Sequence, residues 1–229
     1  MSAVLSRGKA FFLVITVSLL AASVLSIPNP ASVFCASRGG VVEVRKDPEG
    51  NEYGVCVFKE GVECGEWDYY RGSCRPGVYG YARIKGRVLS ARMIPGIALQ
   101  LEINVSEVIE DELGLLKNGS IVNVWIDAVL WSEMEGNKGV CLEAESYVKT
   151  VTERIEQAIN NTVPPDVLEE CKGFIGGICP PLRQFYDNAT QFTSSYLEVY
   201  GEYEYIAEEF NFRMLDKECY VKEIGNTAI

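Results

Sequence analysis

The chain is organised around residues 29–74, which read NPASVFCASRGGVVEVRKDPEGNEYGVCVFKEGVECGEWDYYRGSC. Residues that favour turns separate the four cysteines of this stretch, which are Cys35, Cys56, Cys64 and Cys74. A unit this short buries too little apolar surface to be stable through an apolar core alone. The sequence therefore predicts a small module, residues 28–76, that disulfides hold together.

The N-terminal segment has the pattern of an export signal. Arg7 and Lys9 precede an apolar run from Ala10 to Ile27 that ends in small residues. This order is typical of a secretory signal peptide, with cleavage after Ser26. Because the run is about long enough to span a bilayer, an uncleaved membrane anchor is the alternative. In both cases the rest of the chain is expected to be extracytoplasmic, either secreted or anchored.

Eight cysteines in an exported chain indicate disulfides. The second set of four is Cys141, Cys171, Cys179 and Cys219. We expect each set to close within its own domain, although four cysteines allow three pairings and the spacing does not choose among them. A zinc site is the alternative for the first set, but its spacings are wider than those of paired zinc knuckles.

Alternating residues predict a β-hairpin in the module. Val41–Arg45 and Tyr53–Phe58 alternate as strands do, and residues 47–51 between them favour a turn. Before the hairpin, residues 30–37 are expected to form a short helix that Asn29 caps.

The module resembles a known family, a small cysteine-rich domain of unknown function that is often labelled "putative haemolysin" and occurs in exported proteins. The resemblance lies in three features: the opening Asn-Pro-Ala-Ser at residues 29–32, the Gly39-Gly40 pair, and the Cys-x2-Trp-x2-Tyr-Arg-Gly-x-Cys run from Cys64 to Cys74. It implies no catalytic residue, because the family has no secure activity.

Trp67, Tyr70 and Arg71 are candidate contact residues of the module, since aromatic side chains beside arginine are common binding anchors. The alternative is that Trp67 fills the core of the module. Small domains depend on large aromatic side chains for their core, which favours this second interpretation.

The composition argues against several function classes. The formal net charge is −11 and the chain has no histidine, which removes the commonest general base and metal ligand. We therefore expect no catalytic centre, no metal ion and no cofactor. Residues 77–229 carry 24 acidic and 13 basic side chains, and so negative a domain disfavours nucleic acid as a partner.

Residues 78–229 have the pattern of a second, mainly β domain. The predicted strands are Tyr81–Arg92 with a bulge at Gly86, Ile97–Val105, Ile121–Leu130, Leu197–Ile206 and Phe210–Ile224. A helical insertion at about residues 132–195 separates the third strand from the fourth. The predicted fold class is thus α+β, with a disulfide-rich module followed by an OB-like five-stranded barrel and its helical insertion. A small β-sandwich is the alternative.

Three short phrases resemble strands 1, 3 and 4 of OB-folds, a family of small Greek-key barrels. They are Ile84–Val88, Leu116–Val122 and Glu198–Tyr203. In the insertion, apolar spacing predicts helices at residues 145–160 and 182–192, with a break between Pro164 and Pro181. We expect one disulfide to tie the insertion to the barrel and another to close the insertion.

The outward side of the predicted barrel is the candidate ligand face, because OB barrels bind ligands around strands 2 and 3. The residues chosen for this face are Arg83, Lys85, Arg87, Asn123 and Trp125; the other outward positions are Gln100, Glu102, Asn104 and Asp127. Basic side chains beside an exposed tryptophan are typical of single-strand or sugar binders. The alternative is a solvated face with cross-strand salt bridges.

Four N-glycosylation sequons begin at Asn104, Asn118, Asn160 and Asn188. They are consistent with an exported glycoprotein. A glycan on Asn104 would block the candidate ligand face, so these two predictions compete.

The leading functional hypothesis is an exported, non-catalytic binding or cell-envelope protein, whose partner is an extracytoplasmic protein or a glycan. One alternative is a hydrolase with paired carboxylates, for which Glu198, Glu202 and Glu204 are the available side chains. The other is a membrane-acting, haemolysin-like protein, although no basic amphipathic helix follows the leader.

Overall fold

The computed structural model describes residues 29–59, 61–127, 141–172, 174, 178–214 and 218–225. The predicted leader, residues 1–27, and the first part of the predicted insertion, residues 132–140, lie outside the described residues. In the described part of the chain, no helix combines the length and the apolar character needed to cross a membrane.

The module contains two short helices and a three-stranded antiparallel sheet. Its elements are α1 (Pro30–Ala36), β1 (Val41–Lys46), β2 (Glu52–Val57), β3 (Glu63–Gly65) and α2 (Glu66–Arg71). The predicted cap is present, because the Asn29 side chain accepts a hydrogen bond from the Ala31 amide at 3.0 Å. The predicted hairpin is β1 paired with β2.

Two disulfides hold these short elements together. Cys35 of α1 is bonded to Cys56 of β2, and Cys64 of β3 is bonded to Cys74 after α2. The first bond also explains a glycine. A Cβ atom at Gly40 would lie 2.6 Å from the Cys56 sulfur and 2.8 Å from the Cys35 sulfur, so no larger residue fits where the chain passes the disulfide.

Five strands close a barrel after the module, as the sequence predicts. They are β4 (Val78–Ile94), β5 (Ala98–Asp111), β6 (Ile121–Asp127), β7 (Tyr196–Ile206) and β8 (Glu209–Arg213). Around the barrel the order is β4-β5-β6-β8-β7, and β7 pairs back to β4. All neighbours are antiparallel except β6 and β8, which are parallel.

The predicted irregularity at Gly86 is present in β4. The register with β5 shifts between Lys85 and Gly86, and a Cβ atom at Gly86 would lie 2.4 Å from Ile103 Cγ2 and 2.5 Å from the Asn104 carbonyl oxygen. Glycine thus allows β5 to approach β4 closely at the bend that a small barrel needs.

The insertion between β6 and β7 is helical. Its described residues form α3 (Leu142–Thr162), α4 (Pro165–Lys172), α5 (Arg183–Asp187) and 3-10 turns at Pro180–Leu182 and Ala189–Phe192. The predicted break between Pro164 and Pro181 was wrong in part, since α4 lies within it. Pro165 starts that helix instead of interrupting it, because the first helical residue needs no amide hydrogen. The disulfide Cys141–Cys219 ties the insertion to the barrel. The disulfide Cys171–Cys179 joins two residues within the insertion.

The predicted last strand, Phe210–Ile224, is two strands, β8 and β9 (Tyr220–Glu223). Both run along the same strand, β7. Phe212 pairs with Tyr203, whereas Tyr220 pairs with Tyr200. A separation of eight residues along this segment therefore corresponds to a separation of only three residues along β7. Cys219 directly precedes β9, and its disulfide with Cys141 holds the chain against the start of α3.

The described residues form two apolar cores. The first fills the barrel and continues into the buried side of α3, with Val122, Val124 and Ile126 facing inward as predicted. The second lies between the module and the outside of the barrel. Phe34 and Tyr69 of the module meet Trp125 and Ile206 of the barrel there. The core of the module is therefore not separate from the barrel, because residues on the outer surface of the barrel complete it.

Candidate functional site

A groove with a volume of about 270 Å³ lies where the module meets the outer surface of the barrel. Ser37 and Arg38 of the module form one side. The barrel contributes two rows of side chains that cross-strand pairing aligns on β4, β5 and β6: Arg92-Gln100-Trp125 and Ser90-Glu102-Asn123. The groove therefore joins hydroxyl, amide, carboxylate and guanidinium groups from two parts of the chain.

Trp125 was predicted to be exposed, and this prediction was wrong. Its side chain is on the outside of the barrel, but only 2% of it is accessible. The Phe34 ring packs edge-on against it with the centroids 5.3 Å apart, and the indole Nε1 donates to Asp127 at 2.6 Å. Strand alternation gives the correct face of the barrel, but it carries no information about a module docked on that face.

Arg38 is the most unusual group at the groove. It is 2% exposed, its guanidinium lies 4.1 Å above the centre of the Phe34 ring, and its Nε is buried without a hydrogen-bond partner. Burial lowers the pKa of this guanidinium from its ordinary value, while Tyr69 and Glu204 act in the opposite direction. A buried cation with unused hydrogen-bonding capacity is costly unless something pairs with it.

The local backbone fixes the position of Arg38. The amides of Arg38 and Gly40 both donate to the Cys35 carbonyl at 3.1 Å, so a tight turn follows α1 directly. Because Cys35 is also bonded to Cys56, the turn cannot move away from the sheet of the module. The backbone from which the Arg38 side chain extends is therefore fixed by the fold of the module.

Glu204 is the carboxylate nearest to Arg38, but other donors already occupy it. Tyr69 donates to its Oε2 at 2.5 Å, and Tyr79 donates to its Oε1 at 2.6 Å. The Arg38 Nε is 4.0 Å from Oε2, beyond hydrogen-bonding distance. Burial raises the pKa of both phenols, and Glu204 adds to this effect. Both tyrosines therefore remain hydrogen-bond donors.

A second polar cluster links the module to β6 and β8. The Tyr70 hydroxyl donates to Asp127 at 3.1 Å, and Arg213 donates to the Tyr70 carbonyl oxygen. The Arg213 guanidinium also lies 4.5 Å from the centre of the Phe34 ring. Two guanidinium groups, those of Arg38 and Arg213, thus lie 4.1 Å and 4.5 Å from the centre of the Phe34 ring, at distances that favour cation–π attraction.

The predicted ligand face is divided by the structure. Asn123 and Trp125 line the groove, whereas Arg83, Lys85 and Arg87 do not. Arg83 is paired with Glu198 at 2.8 Å, and Lys85 is paired with Glu107 at 2.9 Å. The cross-strand salt bridges of the alternative interpretation are therefore present on this part of the barrel.

The three predicted contact residues of the module lie in different environments. Tyr70 is buried against the barrel. Trp67 was expected to fill the core, but it lies at the rim, partly buried beside the core of Phe34, Phe58 and Tyr69. Arg71 is stacked over Trp67 at 5.4 Å. The core aromatic side chains of the module thus come from α1, from Phe58 after β2 and from Tyr69 and Tyr70 of α2.

The three carboxylates considered for hydrolysis all lie on β7 and contact donors from their own chain. Glu198 accepts from Arg83 and Tyr220, Glu202 accepts from Arg75, and Glu204 is buried in the tyrosine cluster. The pKa of Glu198 is lowered from its ordinary value, and the hydrogen bond from Tyr220 is the largest cause. A general acid in a glycosidase needs the opposite shift.

No metal centre is formed by the described residues, among which no three His, Cys, Asp or Glu side chains come together as ligands. All eight cysteines are in disulfides. Cys56, Cys64 and Cys74 are therefore not zinc ligands.

Sequence reasoning missed Ser37, Arg38, Ser90 and Arg92. On simple alternation from Arg83, position 92 points inward; a register shift between Val88 and Ser90 turns it outward. Arg38 had a usable signal, because it stands between a disulfide-bonded cysteine and a glycine pair.

Comparison with known families finds one match to the module. A family described as a domain of unknown function (DUF333) matches residues 26–73, which is 48 of the 229 residues. Its description assigns no activity and gives no support to the haemolysin label. No curated protein and no solved structure shows a significant match to the chain.

Proposed function

We propose that this chain is an exported, non-catalytic binding protein of the cell envelope, and that its ligand occupies the groove between the module and the barrel. The observation that carries the proposal is the composition of the groove. Ser37 and Arg38 come from the module, and the polar rows come from the barrel. The groove therefore exists only where the module and the barrel meet.

Four disulfides support a place outside the cytoplasm, since such bonds persist in oxidising compartments. Residues 1–27 would direct export and then be cleaved or kept as an anchor. The sequon asparagines Asn118, Asn160 and Asn188 are exposed and do not line the groove. Asn188 follows Asp187, which pairs with Arg92 at the rim, so only glycans on Asn118 and Asn160 are expected to leave the groove open.

We assign the barrel to the OB-fold on three features. The strand order β4-β5-β6-β8-β7 closes between β7 and β4, one pair is parallel, and helix α3 lies between the third and fourth strands. OB-folds bind oligosaccharides and oligonucleotides on the face of their second and third strands. In this chain those strands are β5 and β6, which line the groove. Gln100, Glu102 and Asn123 line the groove and can hydrogen-bond to the hydroxyl groups of a sugar. A saccharide is therefore the better match than a nucleic acid.

The arrangement of carboxylates supports binding over hydrolysis. Two catalytic carboxylates must face each other across a substrate. Glu102 is the carboxylate that lines the groove, and it accepts a hydrogen bond from Ser90 at 3.2 Å. Glu198, Glu202 and Glu204 lie on a different strand, β7, and are engaged elsewhere.

The test is an NMR titration of the disulfide-intact protein with oligosaccharide fragments of envelope polysaccharides. Amide signals of Ser37, Glu102 and Asn123 should shift together, and the fragments should be recovered uncut. Gln100→Ala should weaken binding. Gln157→Ala, which removes an exposed glutamine from α3, is the matched control and should not. Cleavage of a fragment, or shifts confined to other surfaces, would contradict the proposal.

A further inference from the structure

The groove is locally cationic on an acidic protein. Its lining has two guanidinium groups, Arg38 and Arg92, against one carboxylate, Glu102, whereas the whole chain has a net charge of −11. Arg92 is exposed and has a rim ion pair with Asp187 at 3.3 Å, which solvent weakens. Arg38 is buried and therefore acts in a medium where charge interactions are stronger.

Arg38 has only a distant partner for a buried guanidinium, since its Nε lies 4.0 Å from Glu204 Oε2. Its Nε has no hydrogen bond, and the oxygens of Glu204 already accept from Tyr69, Tyr79 and the Gly77 amide. Arg38 lines the groove, so a planar anion there would accept hydrogen bonds from its guanidinium group, because guanidinium groups bind carboxylates through parallel hydrogen bonds.

The remaining lining points to hydroxyl groups on the same ligand. Gln100 and Asn123 carry amides, which donate and accept, and Ser37 and Ser90 carry hydroxyls. Glu102 accepts but cannot donate when ionised. It would repel a dianion such as phosphate more strongly than a single carboxylate, and it would accept from sugar hydroxyls.

We propose that the groove binds a uronic-acid residue of an acidic polysaccharide, with the sugar carboxylate on Arg38 and Arg92 and the ring hydroxyls on Glu102, Gln100 and Asn123. This inference rests on the proposed function and specifies its ligand. The groove volume of about 270 Å³ is near the lower end for small-ligand sites, so it suits one sugar ring with the chain continuing at both sides.

The experiment is calorimetric titration of the disulfide-intact protein with trisaccharides of glucuronic, galacturonic and mannuronic acid. Each is compared with its methyl ester, which has the same ring without the charge. At least one acid should bind about ten- to a hundredfold more tightly than its ester, which is the usual worth of a hydrogen bond to a charged group. Inorganic phosphate should not displace it.

Two arginines of the same strand provide the matched variants. Arg92→Gln should weaken binding of the acid by about tenfold while leaving the ester unchanged. Arg87→Gln removes an exposed arginine of β4 that does not line the groove and should have no effect. Arg38→Lys keeps the charge but not the planar donor pair, so it should reduce the preference for acid over ester even where the protein stays folded.

Three results would overturn the inference: equal affinity for acid and ester, equal effects of Arg92→Gln and Arg87→Gln, or displacement by phosphate at similar concentration. Equal binding of acid and ester in the groove would leave the proposed binding function standing and remove only the carboxylate. If neither acid nor ester shifts the NMR signals of the groove residues, and neutral oligosaccharide fragments do not shift them either, both this inference and the proposed function are wrong.

Discussion

The two apolar cores of this protein differ in what fills them. The barrel core is made mainly of aliphatic side chains that alternate along strands, such as Leu99, Leu101 and Ile103. The core between module and barrel contains aromatic rings, and Arg38 and Glu204 are buried beside it. The first core forms within the second domain, where the sheet of the barrel packs against helix α3. The second exists only when the module and the barrel dock, so Arg38 and Glu204 become buried only in the docked arrangement.

The largest effect is expected from matched phenylalanine changes in the two cores. Phe212 is in the barrel core, and Phe34 is in the core between module and barrel, called the docking core below. Both are at most 2% exposed. Each change to alanine should cost about 3–5 kcal/mol. Phe212→Ala should lower the free energy of global unfolding, whereas Phe34→Ala should speed hydrogen exchange in the module and leave β4–β7 protected. Uniform acceleration by both variants would show that the two cores unfold as one.

The Cys35–Cys56 bond is expected to rank next. Replacing both residues with serine reopens a loop whose ends are 21 residues apart, which should cost about 3 kcal/mol. The loss should appear in the module, because the disulfide supports the turn that holds Arg38. Denaturant unfolding followed by tryptophan fluorescence measures it. The double variant Cys171→Ser/Cys179→Ser in the insertion is the control, and it should leave the groove signals unchanged.

Removing one buried charge should have an intermediate effect. Glu204→Gln leaves Arg38 without its nearest counter-charge and deprives one tyrosine hydroxyl of an acceptor, which should cost about 2 kcal/mol. Glu202→Gln changes a neighbour on the same strand whose partner, Arg75, is exposed, and should cost under about 1 kcal/mol. Similar losses in thermal unfolding would mean that the docking core does not depend on its charges.

The smallest effect concerns acid stability on the solvated part of the barrel. The pKa of Glu198 is lowered in the folded state, first by the Tyr220 hydroxyl and also by Arg83. Its contribution is therefore complete above the unfolded pKa of about 4.3 and is lost as the pH falls through the lower folded value. Glu198→Gln should flatten the dependence of the melting temperature on pH below about 4.5. An unchanged slope would contradict this.

Much of the barrel could be predicted because alternation and glycine are local signals. Gly86 marked the bend, and Leu99 and Val124 marked the inner face. The groove was predicted only on the barrel side, through Asn123 and Trp125. Its other side depends on where the module docks. On the barrel side, Ser90 and Arg92 face the groove because of a register shift near Ser90 that reverses the alternation before Arg92. Neither feature follows from a local pattern.

The account depends most on the docking of the module over Trp125, and the accessibility of that indole tests it most directly. In the variant Trp67→Phe/Trp131→Phe, Trp125 is the sole tryptophan. Acrylamide should quench its fluorescence weakly in the oxidised protein and strongly after reduction of the disulfides. Quenching of the oxidised protein as efficient as that of a free indole would show that the module does not cover the barrel, and the groove would not exist in solution.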